Sequence, residues 1–202
     1  MLGAMGVPRS KPVELHAHAM DNLRYIRGTM ERAGSFTAVP GLGGVLMGST
    51  ALVTAWIATP FRGVGHWMTI WAIECFVGIL IGTTAAAMKS RRMNSPLLNG
   101  PGRKFLAVFS PAIFAGVVLT IAFHQADLSW YLPGIWLLLY GTAVVSAGWG
   151  SVRAVALMGI CFMVAGTIGL LMPELPGDVL LAAGFGGLHI VFGTIIAVKH
   201  GG

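Results

Sequence analysis

Charged side chains are the scarcest feature of this sequence. They make up 10% of the 202 residues, whereas hydrophobic residues make up 55%. An average soluble domain has about 25% charged residues, which cover its surface in water. The composition therefore excludes an ordinary soluble enzyme and indicates a membrane protein.

Cysteine and sequence motifs are also scarce. Cys75 and Cys161 are the only cysteines, and both lie inside apolar stretches, so the sequence excludes a disulfide framework. The first forty residues lack the apolar core of a signal peptide. Phosphate loops, zinc-ligand spacings and nucleophile elbows are missing as well. We expect no catalysis, no cofactor and no nucleic-acid binding.

Six apolar runs have about the 20 residues that a helix needs to cross a bilayer. The sequence predicts an all-α membrane protein with a cytoplasmic tail at residues 1–38 and a six-helix transmembrane domain at residues 39–202. The predicted spans are residues 41–59, 67–88, 105–124, 131–149, 152–172 and 179–198.

Basic residues are distributed unevenly around these spans. Of the 13 Lys and Arg residues, all except Arg62 fall in loops or tails on one side of the predicted membrane. The opposite loops carry Asp127, Glu174 and Asp178. Because cytoplasmic loops are enriched in Lys and Arg, we expect both termini to be cytoplasmic.

The segment Lys11–Ala33 is too polar to span but has helical periodicity. Its apolar residues fall on one stripe, opposite the charged face. We expect an amphipathic helix that lies on the cytoplasmic surface or contacts a partner protein. The stripe includes Leu15, Leu23, Ile26 and Met30.

The first and fourth spans resemble each other at one constant offset. Gly48-Ser49 aligns with Gly141-Thr142, and Trp56 aligns with Trp149. The second and fifth spans share a Cys-Phe pair, and the third and sixth share a Phe-x-Gly pattern. Three spans per half place the halves in opposite orientations, which predicts a 3+3 inverted repeat. Chance is the alternative, because glycine is abundant in this chain.

Glu74 is the only carboxylate well inside an apolar span. A carboxylate there is costly unless it is protonated, paired or hydrated. We hypothesise that Glu74 faces the bundle interior and bonds to His189 or Tyr140, as a candidate intramembrane polar site. Such a group could couple proton movement to a solute, or simply tie two helices together.

Two further patterns are weaker. His66 and His124 lie at similar depth near the outer boundary, so a haem b ligand pair is conceivable, although boundary histidines are usually only interfacial. Glycines four residues apart indicate close packing between membrane helices. These glycines are Gly44, Gly48, Gly78 and Gly82.

The stretch HAHAMDNLRYIRGTMERAGSFTAVPGLGG, from His16 to Gly44, resembles one carried by a family of small bacterial multi-pass membrane proteins. The resemblance covers less than a fifth of the chain. It implies a bacterial inner-membrane protein, but it implies no activity and no functional residues.

Three classes of function remain open. The first is an accessory or regulatory subunit of a membrane complex, which would bind partners through its N-terminal helix or glycine faces. The second is a small proton-coupled transporter or channel that uses Glu74 and His189. The third is a redox subunit that binds haem or quinone.

Overall fold

A computed structural model of the protein describes His18, residues 20–27, Met30, and residues 39–62, 65–92, 100–149 and 151–200. The chain divides into two compact units, residues 1–35 and 36–202. In the first unit, residues 20–27 are helical, and Arg24 lies 3.6 Å from Asp21 as their spacing predicts. Leu15 and most of the other residues of the predicted N-terminal helix lie outside the described residues.

The second unit contains the six predicted spans, and each is long and apolar enough to cross a membrane. The prediction of a helical membrane protein with six spans is thereby confirmed. The sixth helix is continuous but includes a wider π-helical turn. The helices are α1 (Gly41–Ala58), α2 (Gly65–Arg92), α3 (Gly100–Gln125), α4 (Leu132–Gly148), α5 (Arg153–Leu171) and α6 (Gly177–Leu181, the π-helical Ala182–Leu188, and His189–His200).

Proline marks where three of these helices begin. Pro40 and Pro176 immediately precede α1 and α6, and Pro133 is the second residue of α4. A proline at a helix start costs no hydrogen bond, because the first backbone N–H groups have no partner within the helix. The prolines therefore set the starts of these spans without interrupting them.

Helices α4 and α5 pack with their backbones in direct contact. A Cβ atom on Gly141 would lie 2.7 Å from the carbonyl oxygen of Gly159 and 2.7 Å from the nitrogen of Met163. A Cβ atom on Gly166 would lie 2.4 Å from the nitrogen of Leu138. Only glycine fits at such positions, so the two helices approach as closely as small-residue membrane interfaces allow.

Helices α1 and α6 are joined in the same way. A Cβ atom on Gly48 would lie 2.5 Å from the carbonyl oxygen of Gly186, and one on Gly193 would lie 2.7 Å from the nitrogen of Val45. The predicted close packing of Gly44 and Gly48 thus occurs against α6, where a Cβ atom on Gly44 would lie 3.3 Å from Cα of Gly193.

The two glycine interfaces correspond residue by residue. Between α1 and α4 the corresponding positions are 41 and 134, 45 and 138, and 48 and 141. Between α6 and α5 they are 186 and 159, 190 and 163, and 193 and 166. The first correspondence has the same offset as the sequence match between the first and fourth spans. The second relates α5 to α6, whereas a 3+3 repeat would relate the third span to the sixth. The inverted repeat stays a prediction.

Helices α2 and α3 lie at the periphery of this core. In the most apolar window of each span, 56% of residues are buried in α4, but 6% in α2 and none in α3. Helix α2 packs on α1, and α3 packs on α4, where Trp136 Nε1 donates a hydrogen bond of 2.8 Å to Thr120 Oγ1. Among the described residues, α2 and α3 make little contact with each other.

Candidate functional site

A polar pair inside the described spans is formed by Tyr140 of α4 and the buried His189 of α6. The Tyr140 hydroxyl lies 2.8 Å from Nε2 of His189, and Nδ1 of His189 lies 2.9 Å from the carbonyl oxygen of Phe185. A carbonyl can only accept, so Nδ1 carries the hydrogen. Nε2 of the neutral imidazole then accepts from the tyrosine hydroxyl.

The π-helical turn before His189 accounts for this arrangement. The backbone N–H of His189 bonds to the carbonyl of Gly186, three residues back, rather than to that of Phe185. The imidazole of His189 bonds to the Phe185 carbonyl instead. Wide turns of this kind are often associated with functional positions in helices. Here the turn places an imidazole in the centre of the bundle.

Aromatic rings surround the pair. The ring of Tyr140 lies 4.8 Å from Phe162, 5.1 Å from Phe185 and 5.9 Å from Phe109, all in tilted or edge-on arrangements. Phe162 is completely buried, and His189 is 4% exposed. Because both ring nitrogens of the histidine are engaged and apolar rings enclose it, the pair acts first as a link between α4 and α6.

Glu74 lies in a separate place, between α2 and α1. Its Oε1 is 2.8 Å from the hydroxyl of Thr50, and its Oε2 is 2.9 Å from the hydroxyl of Thr54. The two threonines are four residues apart and therefore lie on one face of α1. The side chain of Glu74 is only partly buried.

This geometry corrects the expected pairing of Glu74 with His189 or Tyr140. The structure brings Tyr140 and His189 together, but the oxygens of Glu74 bond to α1. The sequence analysis missed Thr50 and Thr54. The sequence did contain a signal for these two partners. The threonines are four residues apart, on the span that packs against the helix carrying the Glu74 carboxylate.

A third polar cluster ties three helix starts together on the predicted outer face. Asp178, in the first turn of α6, is 2% exposed and forms an ion pair with Arg62. Its Oδ1 accepts hydrogen bonds from the indole nitrogens of Trp67, at 2.6 Å, and Trp71, at 3.1 Å. Trp67 also stacks on Trp136 of α4, with ring centroids 5.8 Å apart.

The sequence analysis read Asp178 as a loop acid and Arg62 as the single basic residue on the outer side, and it connected neither of them with the tryptophans. A buried carboxylate with three donors is a well-compensated charge, and such a group is costly to disturb. The one hint of this ion pair in the sequence was Arg62, the single basic residue on the side of the membrane whose loops carry acidic residues. We call Arg62, Trp67, Trp71 and Asp178 the outer clamp.

The other predicted residues have local partners. His124 Nδ1 lies 3.2 Å from the hydroxyl of Ser129, and the ring of His66 lies 6.3 Å from that of Phe61. Among the described residues, no group of three or more His, Cys, Asp or Glu side chains is arranged to hold a metal ion. The haem hypothesis stays a prediction, which a visible absorption spectrum of the purified protein would test.

Two predicted contact surfaces can also be placed. Gly78 and Gly82 of α2 face the side chain of Met47 rather than a backbone, so α2 packs on α1 less closely than α6 does. On the N-terminal stripe, Leu23, Ile26 and Met30 are 60%, 51% and 70% exposed.

Comparisons with protein-family models, with curated proteins and with solved structures found no match for this chain. The functional argument therefore depends on the geometry of its own residues.

Proposed function

We propose that the protein is a non-catalytic accessory or regulatory subunit of a membrane complex, and that it binds transmembrane helices of another protein along α2 and α3. The observation that carries this proposal is the contrast in burial. Helix α3 has no buried residue in its most apolar window, although α4, α5 and α6 have between 33% and 56%.

The exposed surface of α2 and α3, which we call the flank, consists mostly of large apolar side chains in the middle of the two spans. A helix at the edge of a membrane bundle still buries one side against its neighbours in most packings. Along their lengths α2 packs mainly on α1 and α3 packs mainly on α4, and the two helices scarcely contact each other, so their outward surfaces are open to lipid or to a partner helix. The large exposed residues of the flank include Ile73, Phe76, Ile79, Leu80, Phe114, Val117, Val118 and Ile121.

Other features of the described spans favour a structural role for the protein over a catalytic one. Every fully buried side-chain nitrogen or oxygen among the described residues has a hydrogen-bond partner. The central polar pair is enclosed by aromatic rings, and two helix pairs are in backbone contact. These features favour a rigid support that acts through its surface.

The same proposal includes the setting of the chain. Cytoplasmic termini in a bacterial inner membrane agree with the unequal distribution of Lys and Arg, and the N-terminal stripe would be a second contact with the complex. The match between positions 41, 45 and 48 of α1 and positions 134, 138 and 141 of α4 supports one part of an inverted internal repeat, the equivalence of α1 and α4 as helices of opposite direction.

Purification from native membranes in a mild detergent tests the partner. We expect a protein of defined stoichiometry to accompany the wild-type chain. The triple variant Phe114→Ala, Val118→Ala, Ile121→Ala should lose it, because these side chains are 47–71% exposed on α3. The matched control on α5 is Leu157→Ala, Ile160→Ala, Val164→Ala, whose residues are 50–55% exposed. Equal recovery with both variants would contradict the proposal.

A second candidate is a small proton-coupled transporter. The observation in its favour is the Glu74 carboxylate, held by two hydroxyls at a partly exposed position within a span. His189 would not belong to the same site, because its ring nitrogens bond to Tyr140 and Phe185. Proton uptake by vesicles that contain the purified chain alone would favour this candidate over the accessory subunit.

A further inference from the structure

The hydroxyl of Thr50 has two acceptors and one hydrogen. Its Oγ1 lies 2.8 Å from Glu74 Oε1 and 2.9 Å from the carbonyl oxygen of Met47. If Glu74 is an anion, the hydroxyl must choose between them, because a carboxylate and a carbonyl can only accept. One of these two short contacts then lacks a hydrogen.

The contacts are complete when Glu74 carries a proton. The acid then donates from Oε1 to Thr50, Thr50 donates to the Met47 carbonyl, and Thr54 donates to Oε2 of Glu74. Three O–H donors meet three acceptors, and no charge is left inside the span. We propose that Glu74, Thr50, Thr54 and the Met47 carbonyl form a binding site for one exchangeable proton.

The surroundings of the site agree with this assignment. Helix α1, which packs against α2 here, contains no charged side chain, so this helix supplies no cation to compensate an anion at Glu74. Cys75 is the adjacent titratable group on α2, and the charged groups of that helix lie at its far end, from Lys89 onward. Tyr140 and His189, the titratable groups of α4 and α6 within the spans, bond to each other. Asp178 is held by Arg62.

Release of the proton would change the hydrogen bonds in a defined way. The Thr50 hydroxyl would turn from the Met47 carbonyl to the carboxylate, so that both threonines donate to Glu74. The site thus has two arrangements of the same atoms that differ by one proton. This inference concerns Glu74 alone and does not depend on whether the flank binds a partner.

A hydrophobic carbodiimide tests the site directly, because its C=N bond adds the O–H of a protonated carboxyl within a membrane. The probe is dicyclohexylcarbodiimide, applied to the full chain in phosphatidylcholine vesicles, with intact-mass measurement and peptide mapping. We expect one adduct, located on Glu74, and a yield that falls as pH rises. Asp178 is the internal control and should not react, because it is 2% exposed and both of its oxygens are occupied by the Arg62 guanidinium and two indoles.

The variant Glu74→Gln supplies a second measurement. An amide preserves the pattern of the acid, since its NH₂ donates to Thr50 and its oxygen accepts from Thr54. We expect the variant to lose the adduct and keep the melting temperature of the wild type. Failure of Glu74 to react at any pH would overturn the proposal, and so would a marked fall in the melting temperature of Glu74→Gln.

Discussion

Helices α3 and α5 have the same mean hydropathy in their most apolar windows, 2.3, yet the structure uses them differently. One third of the window is buried in α5, and none of it is buried in α3. The difference lies in the glycines. Gly159 and Gly166 recur seven residues apart on α5, opposite Gly134 and Gly141 on α4, so that one side of α5 meets a backbone. Apolar character makes a membrane helix, and the position of its smallest residues decides what it packs against.

The largest effect should come from adding one methyl group to the α4–α5 contact. In Gly141→Ala the new Cβ would lie 2.7 Å from backbone atoms of α5, which no side-chain rotation can relieve. We expect a loss of about 3 kcal/mol in the free energy of unfolding. Thermal unfolding in detergent measures it.

The matched control makes the same substitution on α2, where it faces α1. A Cβ atom on Gly78 would have only the flexible end of Met47 within reach, at 4.0 Å. Gly78→Ala should leave stability unchanged or slightly higher, because alanine favours a helix over glycine. Equal losses in the two variants would remove the contrast between the α4–α5 and α1–α2 contacts.

The second-largest loss of stability should come from the outer clamp, whose hydrogen bonds and ion pair join α2 to the core. In Asp178→Asn the charge that pairs with Arg62 is lost, and the amide NH₂ faces either the guanidinium or both indoles, which then lack an acceptor. We expect a loss of about 2 kcal/mol, less than for a fully buried pair because Arg62 is 43% exposed. Asp127→Asn, in an exposed turn at φ 56°, is the control and should change stability little.

The third-largest loss of stability should come from the hydrogen bond between Tyr140 and His189 in the core. Tyr140→Phe removes the hydroxyl that donates to Nε2 of His189 and leaves the ring in place. Hydrogen bonds between membrane helices contribute about 1 kcal/mol, so we expect a loss of that size in chemical unfolding. Tyr131→Phe, at the start of α4 near the predicted membrane surface, should lose less. An unchanged free energy of unfolding in Tyr140→Phe would show that the central hydrogen bond contributes nothing.

The smallest effect on stability is expected on the flank itself. Phe114→Ala removes a ring that is 71% exposed, so the free energy of unfolding in detergent should change by less than about 0.5 kcal/mol. A loss as large as that of Gly141→Ala would mean that α3 is part of the packed core.

Much of the fold could be predicted from sequence because the bilayer restricts the choices. A span of about 20 apolar residues can only be a helix there, and the six spans were placed within a few residues of their ends. Gly44 and Gly48 were correctly singled out for close packing. The heptad spacing of Gly134, Gly141 and Gly148 was not recognised, although it distinguishes the α4–α5 contact from the flank.

The polar sites were harder to predict, because spacing along one helix does not tell which neighbour faces it. The sequence analysis named Tyr140 and His189 only as alternative partners of Glu74, because no other polar group at its depth stood out, and it did not predict that they bond to each other. Threonine is a common membrane-helix residue, and its hydroxyl gives no charge signal, so Thr50 and Thr54 were missed. Asp178 was read as a loop residue because it lies at a span end, where exposed acids are ordinary.

Photo-crosslinking in native membranes tests the flank most directly. A photoreactive phenylalanine analogue at position 114 of α3 should give a single protein adduct, identified by mass spectrometry as another membrane protein. The same analogue at position 157 of α5, where Leu157 is 54% exposed, should give lipid adducts only. Lipid adducts alone at both positions would contradict the account.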